Sequence, residues 1–225
     1  MTTILITGAG RGIGYELARQ SVERGWNVIG SVRSVKAQRE LAQKIPQMAV
    51  LNFDVTDSSA MINVANSFQR PIDVLVNNAG VYGPDGQTIT GMNCDEFADL
   101  LATNVIAPVH VVQAFLPYLK ASDHPRLVNI SSRLGMTWHS VTGKVGYRSS
   151  KAALNKLTQC MAEEFAEEGI TCVAMHPGWV RSDMGGPIAD ISTKESAFGI
   201  LNVIARLSLQ DSGMFINYDN ERWAW

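Results

Sequence analysis

Three observations predict a doubly wound α/β domain, a parallel sheet with helices on both faces, for this 225-residue chain. Short β-branched apolar runs alternate with helical patterns from the first residues onward, the order that lays strands parallel. A glycine-rich turn closes the first of those runs and opens a helix. The longest irregular segments, residues 77–93, 132–144 and 177–192, all follow predicted strands. Open α/β sheets bind their ligands on such loops.

Each element has a local reason. Residues 3–7, Thr-Ile-Leu-Ile-Thr, suit a strand buried on both faces. The next helix turns Ile13, Leu17 and Val22 to one side and stops at Gly25, a left-handed cap. Residues 27–32 are the second strand, 35–44 a helix ending before Pro46, and 48–53 the third strand. Asp57 opens a helix as its N-cap, and 72–76 is the fourth strand. A long helix over about 94–120 carries the stripe Phe97, Leu100, Leu101, Val105, Val111, Val112, Phe115 and Leu119. Pro108 should kink it, since proline removes a backbone donor. Residues 127–131, 170–176 and 214–218 are further strands, and 146–168 is a helix. With no repeat or linker, residues 1–225 are assigned to one domain, leaving 183–197 as a short substrate lid.

Composition excludes several classes. Apolar residues make up 46% and charged residues 18%, too apolar for a disordered chain. A net charge of −2 gives no basic footprint for nucleic acid. No membrane span is expected, because no unbroken apolar run reaches the ~18 residues one needs. The first ten residues lack a basic start, so no secretory signal is expected. Cys94, Cys160 and Cys172 are widely spaced and the four histidines lack ligand spacing, so no metal site is expected. Reduced cysteines fit a cytoplasmic protein.

The turn Thr7-Gly8-Ala9-Gly10-Arg11-Gly12-Ile13-Gly14 lies between a strand and a helix. Glycines there let the backbone approach a pyrophosphate, which the free amides of the helix start attract. A dinucleotide site is the result. An NAD site usually places an acid at the end of the second strand. This chain has Gly30-Ser31-Val32-Arg33-Ser34 instead, so Arg33 and Arg11 could hold a 2′-phosphate. NADP(H) is therefore expected ahead of NAD(H).

Tyr147 and Lys151 stand four apart on a predicted helix and share a face. A nearby ammonium favours the phenolate, so Lys151 is expected to lower the tyrosine pKa from ~10 and make it a usable acid and base.

Taken together, the 7–14 turn, Asp54-Val55, Asn77-Asn78-Ala79-Gly80, Asn104, Ser131-Ser132, Tyr147 to Lys151 and Pro177-Gly178 resemble the short-chain dehydrogenase/reductase family. The resemblance covers nearly the whole chain. It implies a Rossmann domain with a seven-stranded parallel sheet, and an oxidoreductase that interconverts carbonyl and alcohol. It implies that Asp54 and Val55 meet the adenine, and that Asn78, Ala79 and Gly80 line the cofactor. Pro177, Gly178, Val180 and Ser182 would line the nicotinamide side, and Lys151 would bind its ribose. Tyr147 would be the acid/base and Asn104 would hold a water in the proton relay. The family's catalytic serine usually lies thirteen residues before the tyrosine, where this chain has Leu134. Ser132, fifteen before, fits that slot with a longer loop, and Ser131 is the alternative.

A narrower resemblance links 131–135, 147–155, 176–180, 183–186 and 213–225 to the C-factor branch, some of whose members are named for cell–cell signalling. A non-catalytic dinucleotide-binding sensor is the alternative that it keeps open. Tyr82, Trp138 and Trp179, with His139, are candidate substrate contacts on the loops. His176 reads as structural. Phe97, Val105 and Val112 with Leu154, Leu157, Met161 and Phe165 give two long apolar helices; part of that surface packs on the sheet, and family resemblance implies a homodimer or homotetramer with the outer part as a helical seam.

Overall fold

The computed structural model describes residues 1–138 and 142–225, and His139 lies outside them. The strands are β1 (Thr3–Ile6), β2 (Asn27–Val32), β3 (Ala49–Asn52), β4 (Val74–Asn77), β5 (Arg126–Ile130), β6 (Thr171–His176), β7 (Val180–Arg181), β8 (Ile191–Ser192), β9 (Phe215–Asn217) and β10 (Arg222–Trp223). The helices are α1 (Gly12–Glu23), α2 (Val35–Lys44), α3 (Ser58–Asn66), α4 (Cys94–Leu101), α5 (Ala107–Lys120), α6 (Val145–Glu164) and α7 (Thr193–Ile204). The main sheet runs β10-β9-β6-β5-β4-β1-β2-β3. Six parallel pairings join the seven strands from β9 to β3, and the expected count needs one correction. An eighth strand, β10, joins antiparallel to β9, with Trp223 opposite Phe215.

Strands β1, β4, β5 and β6 are apolar on both faces because helices cover both. Ile4, Ile6, Val74, Val76, Val128 and Val173 pack toward one side with Leu17, Ala18, Ile200 and Leu201. Leu5, Leu75, Leu127 and Cys172 pack toward the other with Val111, Phe115, Met161 and Phe165. Fully burying each such aliphatic chain is worth about 1.5–3 kcal/mol. Val112, Leu154, Met161 and Phe165 are buried within the chain itself, the part of those two apolar helices that packs inward.

Three further departures from expectation have local causes. The disturbance expected at Pro108 falls earlier, as a π-turn over Ala102–Ile106. Pro108 follows within the same continuous helical run, where it has no N–H to give to the Asn104 carbonyl. The 193–197 part of the expected lid is the first half of α7, set by a Ser192–Glu195 capping box and with Ala197 fully buried. By length and composition alone the 94–120 stretch is apolar enough to cross a membrane, an 18-residue window within it having mean hydropathy 1.5. The expectation rested on the absence of an unbroken apolar run, whereas the average is high because Val111, Val112, Phe115 and Leu119 pack in the core of the fold.

Candidate active site

The site lies on the loops beyond the carboxyl ends of β1, β4, β5 and β6. On the first loop, Gly8 and Gly12 take positive φ, at 69° and 57°. Gly14 admits no side chain, because a Cβ would lie 2.4 Å from the Gly8 carbonyl oxygen and 2.5 Å from Asn78 Nδ2. A Cβ at Gly12 would meet nothing within 4 Å, so the space beside the turn is open. Asn78 braces the turn, its Nδ2 donating to the Thr7 carbonyl at 2.8 Å, while the Thr7 hydroxyl accepts from the Ala79 amide at 3.1 Å. Helix α1 begins with no side-chain cap and no acid in its first turn. Its unpaired amides and positive dipole end suit a pyrophosphate, so these residues fit a dinucleotide.

The two arginines part company. Arg33, exposed at the end of β2, lies close enough to Asp54 to help hold that carboxyl below its usual range, after the larger effect of the Thr56 amide. Arg11 turns the other way and pairs with Asp183 at 2.7 Å. Both side chains are almost fully in solvent, so the pair adds little stability. Val55 is partly buried against the core that holds Met61 and Phe115, and Ile13 is partly buried against the other core.

Ser132, Tyr147 and Lys151 meet on the opposite wall. Ser132 leaves β5 in extended conformation, and its Oγ accepts from the Leu134 amide at 3.1 Å. Ser132 lies close enough to the Tyr147 phenol to pull its pKa down. Ser131, one residue earlier, turns into the core and bonds Asn155. Only Ser132 therefore faces the tyrosine. The Lys151 ammonium donates to the Ile130 carbonyl at 2.9 Å and lies 5.8 Å from the centre of the Tyr147 ring.

The expected effect on the tyrosine is overturned here. Burial raises the Tyr147 phenol to about 12, with Ser132 pulling it down and Tyr82 adding to the rise. Lys151 itself is drawn down to about 8 by burial. Both groups are less than a tenth exposed, and desolvation of the charged form outweighs the pairing that sequence spacing suggests. The phenol is thus held as a proton donor.

Asn104 sits in the π-turn and is buried. Its Oδ1 accepts from the Val81 amide at 2.9 Å, and its Nδ2 donates to the Val81 carbonyl and to Ser150 Oγ. The side chain is fully spent on tying the β4 loop to α6. Its own carbonyl would look four residues ahead for a donor, and that residue is Pro108.

Of the substrate candidates, Tyr82 is brought to the chemistry, its ring 4.8 Å from that of Tyr147. Trp179 is 40% exposed and donates from Nε1 to the Gly185 carbonyl at 2.9 Å. Trp138 is 60% exposed on the rim of the serine loop. Val180 pairs with Ile191, and Ser182 Oγ accepts from the Gly185 amide at 3.2 Å, which folds 180–185 into a tight turn. Gly178 has φ 85°, and Pro177 accepts from Ser196 Oγ at 2.6 Å. Among the described residues, no cluster of histidine, cysteine and carboxylate could hold a metal.

One contributor was missed. Buried Gln87 accepts from the Tyr147 amide at 2.8 Å and donates to the Tyr82 and Pro84 carbonyls, clamping the Tyr82 loop to the start of α6. Its only sequence signal is a lone amide in an irregular segment.

Comparison with known proteins agrees with this geometry. A family model described as short chain dehydrogenase matches residues 2–191. C-signal of Myxococcus xanthus is 37% identical over 69% of this chain and 93% of its own length. An uncharacterized oxidoreductase of Schizosaccharomyces pombe is 30% identical over 95% of this chain and 94% of its own. An NADPH-bound carbonyl reductase from chicken fatty liver superposes with TM-score 0.92 at 34% identity, covering 100% of this chain and 99% of that one. The chain belongs to the short-chain dehydrogenase family, a family of oxidoreductases.

Proposed function

We propose that the chain is an NADP(H)-dependent carbonyl reductase that interconverts an aldehyde or ketone and its alcohol. The observation that carries it is the convergence of Ser132, Tyr147 and Lys151 across from the open glycine turn. The solved neighbours with carbonyl reductase chemistry, one of them holding NADPH, support the same reading.

When bound, the nicotinamide cofactor supplies or accepts the hydride. Gly8 to Gly14 and the α1 amides would hold its pyrophosphate, with Arg33 toward the 2′-phosphate and Lys151 toward the nicotinamide ribose. Asp54, Val55, Asn78 to Gly80, and Pro177 to Ser182 would line the rest of its path. Ser132 Oγ accepts from Leu134, which leaves its own proton free to donate to the substrate oxygen. Tyr147, kept protonated by burial, donates the second hydrogen bond and then the proton. The Lys151 ammonium, charged below about pH 8, steadies the resulting phenolate. The Asn104 carbonyl, with proline at its donor position, would hold the water that returns the proton.

The test is loss of NADPH absorbance against a panel of aldehydes, ketones and quinones. Wild-type turnover on some of them is expected, with Tyr147→Phe lower by about 10³-fold and its NADPH affinity kept. Full turnover by Tyr147→Phe would overturn the assignment. The likeness to C-signal favours a second reading, a non-catalytic dinucleotide-binding signalling protein; cofactor binding without turnover on the whole panel would select it.

A further inference from the structure

We infer that His176 is a positioning residue for Ser132, held in place by the β9–β10 hairpin. The inference rests on the reading of Ser132 as the group that binds the substrate oxygen. The segment carrying Ser132 leaves the sheet at Ile130, and from Arg133 it forms a single tight turn to Gly135. Past Ser131 it has no strand partner, so side contacts must set its place.

Those contacts come from two sides. From α6, Asn155 bonds Ser131 and donates to the Gly135 carbonyl at 3.3 Å. From the sheet, the Arg133 amide donates to His176 Nδ1 at 3.3 Å. Arg133 directly follows Ser132, so this bond fixes the peptide on which Ser132 turns. His176 ends β6, is 6% exposed, and lies in register with Asn217 of β9. The Trp223 ring covers it at 5.3 Å between centroids, tilted by 34°. Met136, at the far end of the same turn, is buried on Ala174 and Phe215, with Trp223 and Trp225 against them. One aromatic cluster therefore supports the serine turn at both Arg133 and Met136.

The imidazole suits this task because it stays an acceptor. Burial chiefly, with Arg133 adding repulsion and Asp219 opposing, holds it down to about 3. A neutral ring whose Nδ1 accepts carries its proton on Nε2. Its bond to the Arg133 amide survives across the whole neutral range.

Three chains test this: wild type, His176→Phe, which keeps a ring under Trp223 but no acceptor, and His176→Asn, whose Oδ1 falls near Nδ1. The readouts are hydrogen exchange at the Arg133 amide, kcat and KM on a carbonyl accepted by the wild type, and the Kd for NADPH. In His176→Phe, Arg133 exchange should rise about tenfold or more, and kcat should fall about 10- to 100-fold with NADPH Kd within about twofold. His176→Asn should restore both to within about threefold of wild type. Unchanged Arg133 exchange in His176→Phe, or an asparagine chain as impaired as the phenylalanine one, would overturn the inference. Should His176→Phe fail to fold, Trp223→Leu carries the same exchange test, with faster Arg133 exchange expected and unchanged exchange contradicting it. A wild type inactive on every carbonyl, with the Arg133 difference intact, would support the grip and overturn the reductase reading alone.

Discussion

Replacing Lys151 by methionine trades a buried cation for an apolar chain of similar length, and the stability gained depends on pH. Burial pulls the ammonium from 10.5 to about 8. Between those values the unfolded chain keeps a proton that the folded chain has released. Stability must therefore rise with pH across that window, since the unfolded state binds more protons there. Applied to these two values, linkage charges the folded state about 3 kcal/mol at pH 7 and about 1 kcal/mol at pH 10. The wild type should thus gain about 2 kcal/mol over that range which Lys151→Met does not. Urea unfolding of both chains near pH 7 and pH 10 measures the difference. Tyr147, raised to about 12, is common to both chains and cancels. A stability difference that stays flat with pH would refute the claim that Lys151 is held as a desolvated cation.

Two other substitutions probe the cofactor side. Arg33→Ala should weaken NADPH binding by about tenfold or more, the worth of one lost charge-assisted phosphate contact, and leave NADH nearly unchanged. Equal weakening of both, by titration of each cofactor, would remove Arg33 from the 2′-phosphate. Gly14→Ala should abolish binding of either cofactor and destabilise the fold by about 1–3 kcal/mol, because its Cβ meets backbone at 2.4 Å. Wild-type affinity and melting temperature in that variant would show the turn to be looser than described.

Much of the fold was legible because its signals are local. The alternation of β-branched runs and helical stripes, the Asp57 and Gly25 helix ends, and the strand–turn–helix around Gly8 to Gly14 each depend on neighbours in sequence. Tyr147 and Lys151 were legible for the same reason, being four apart on one helix. What escaped depends on distant partners. Gln87 meets Tyr147 across sixty positions, and Arg133 meets His176 across forty-three. Strand β10 is two residues long, and its place depends on partners elsewhere in the chain, Trp223 opposite Phe215 and Arg222 on Asp211. The direction of the Tyr147 shift also escaped, since spacing reveals a neighbouring charge but not how much water the fold removes.

The π-turn at Ala102–Ile106 also fixes a count. Leu100, beneath the Gly83 loop, and Leu119, in the core under the sheet, are both buried and stand nineteen positions apart, whereas five regular turns span about eighteen residues. The turn absorbs the surplus residue. Deleting one position there would swing everything beyond it by about 100°, carrying Phe115 and Leu119 off the sheet. Insertions and deletions that surface loops absorb freely are therefore closed to this stretch of chain, and its length is inherited as a unit with the carbonyl of Asn104.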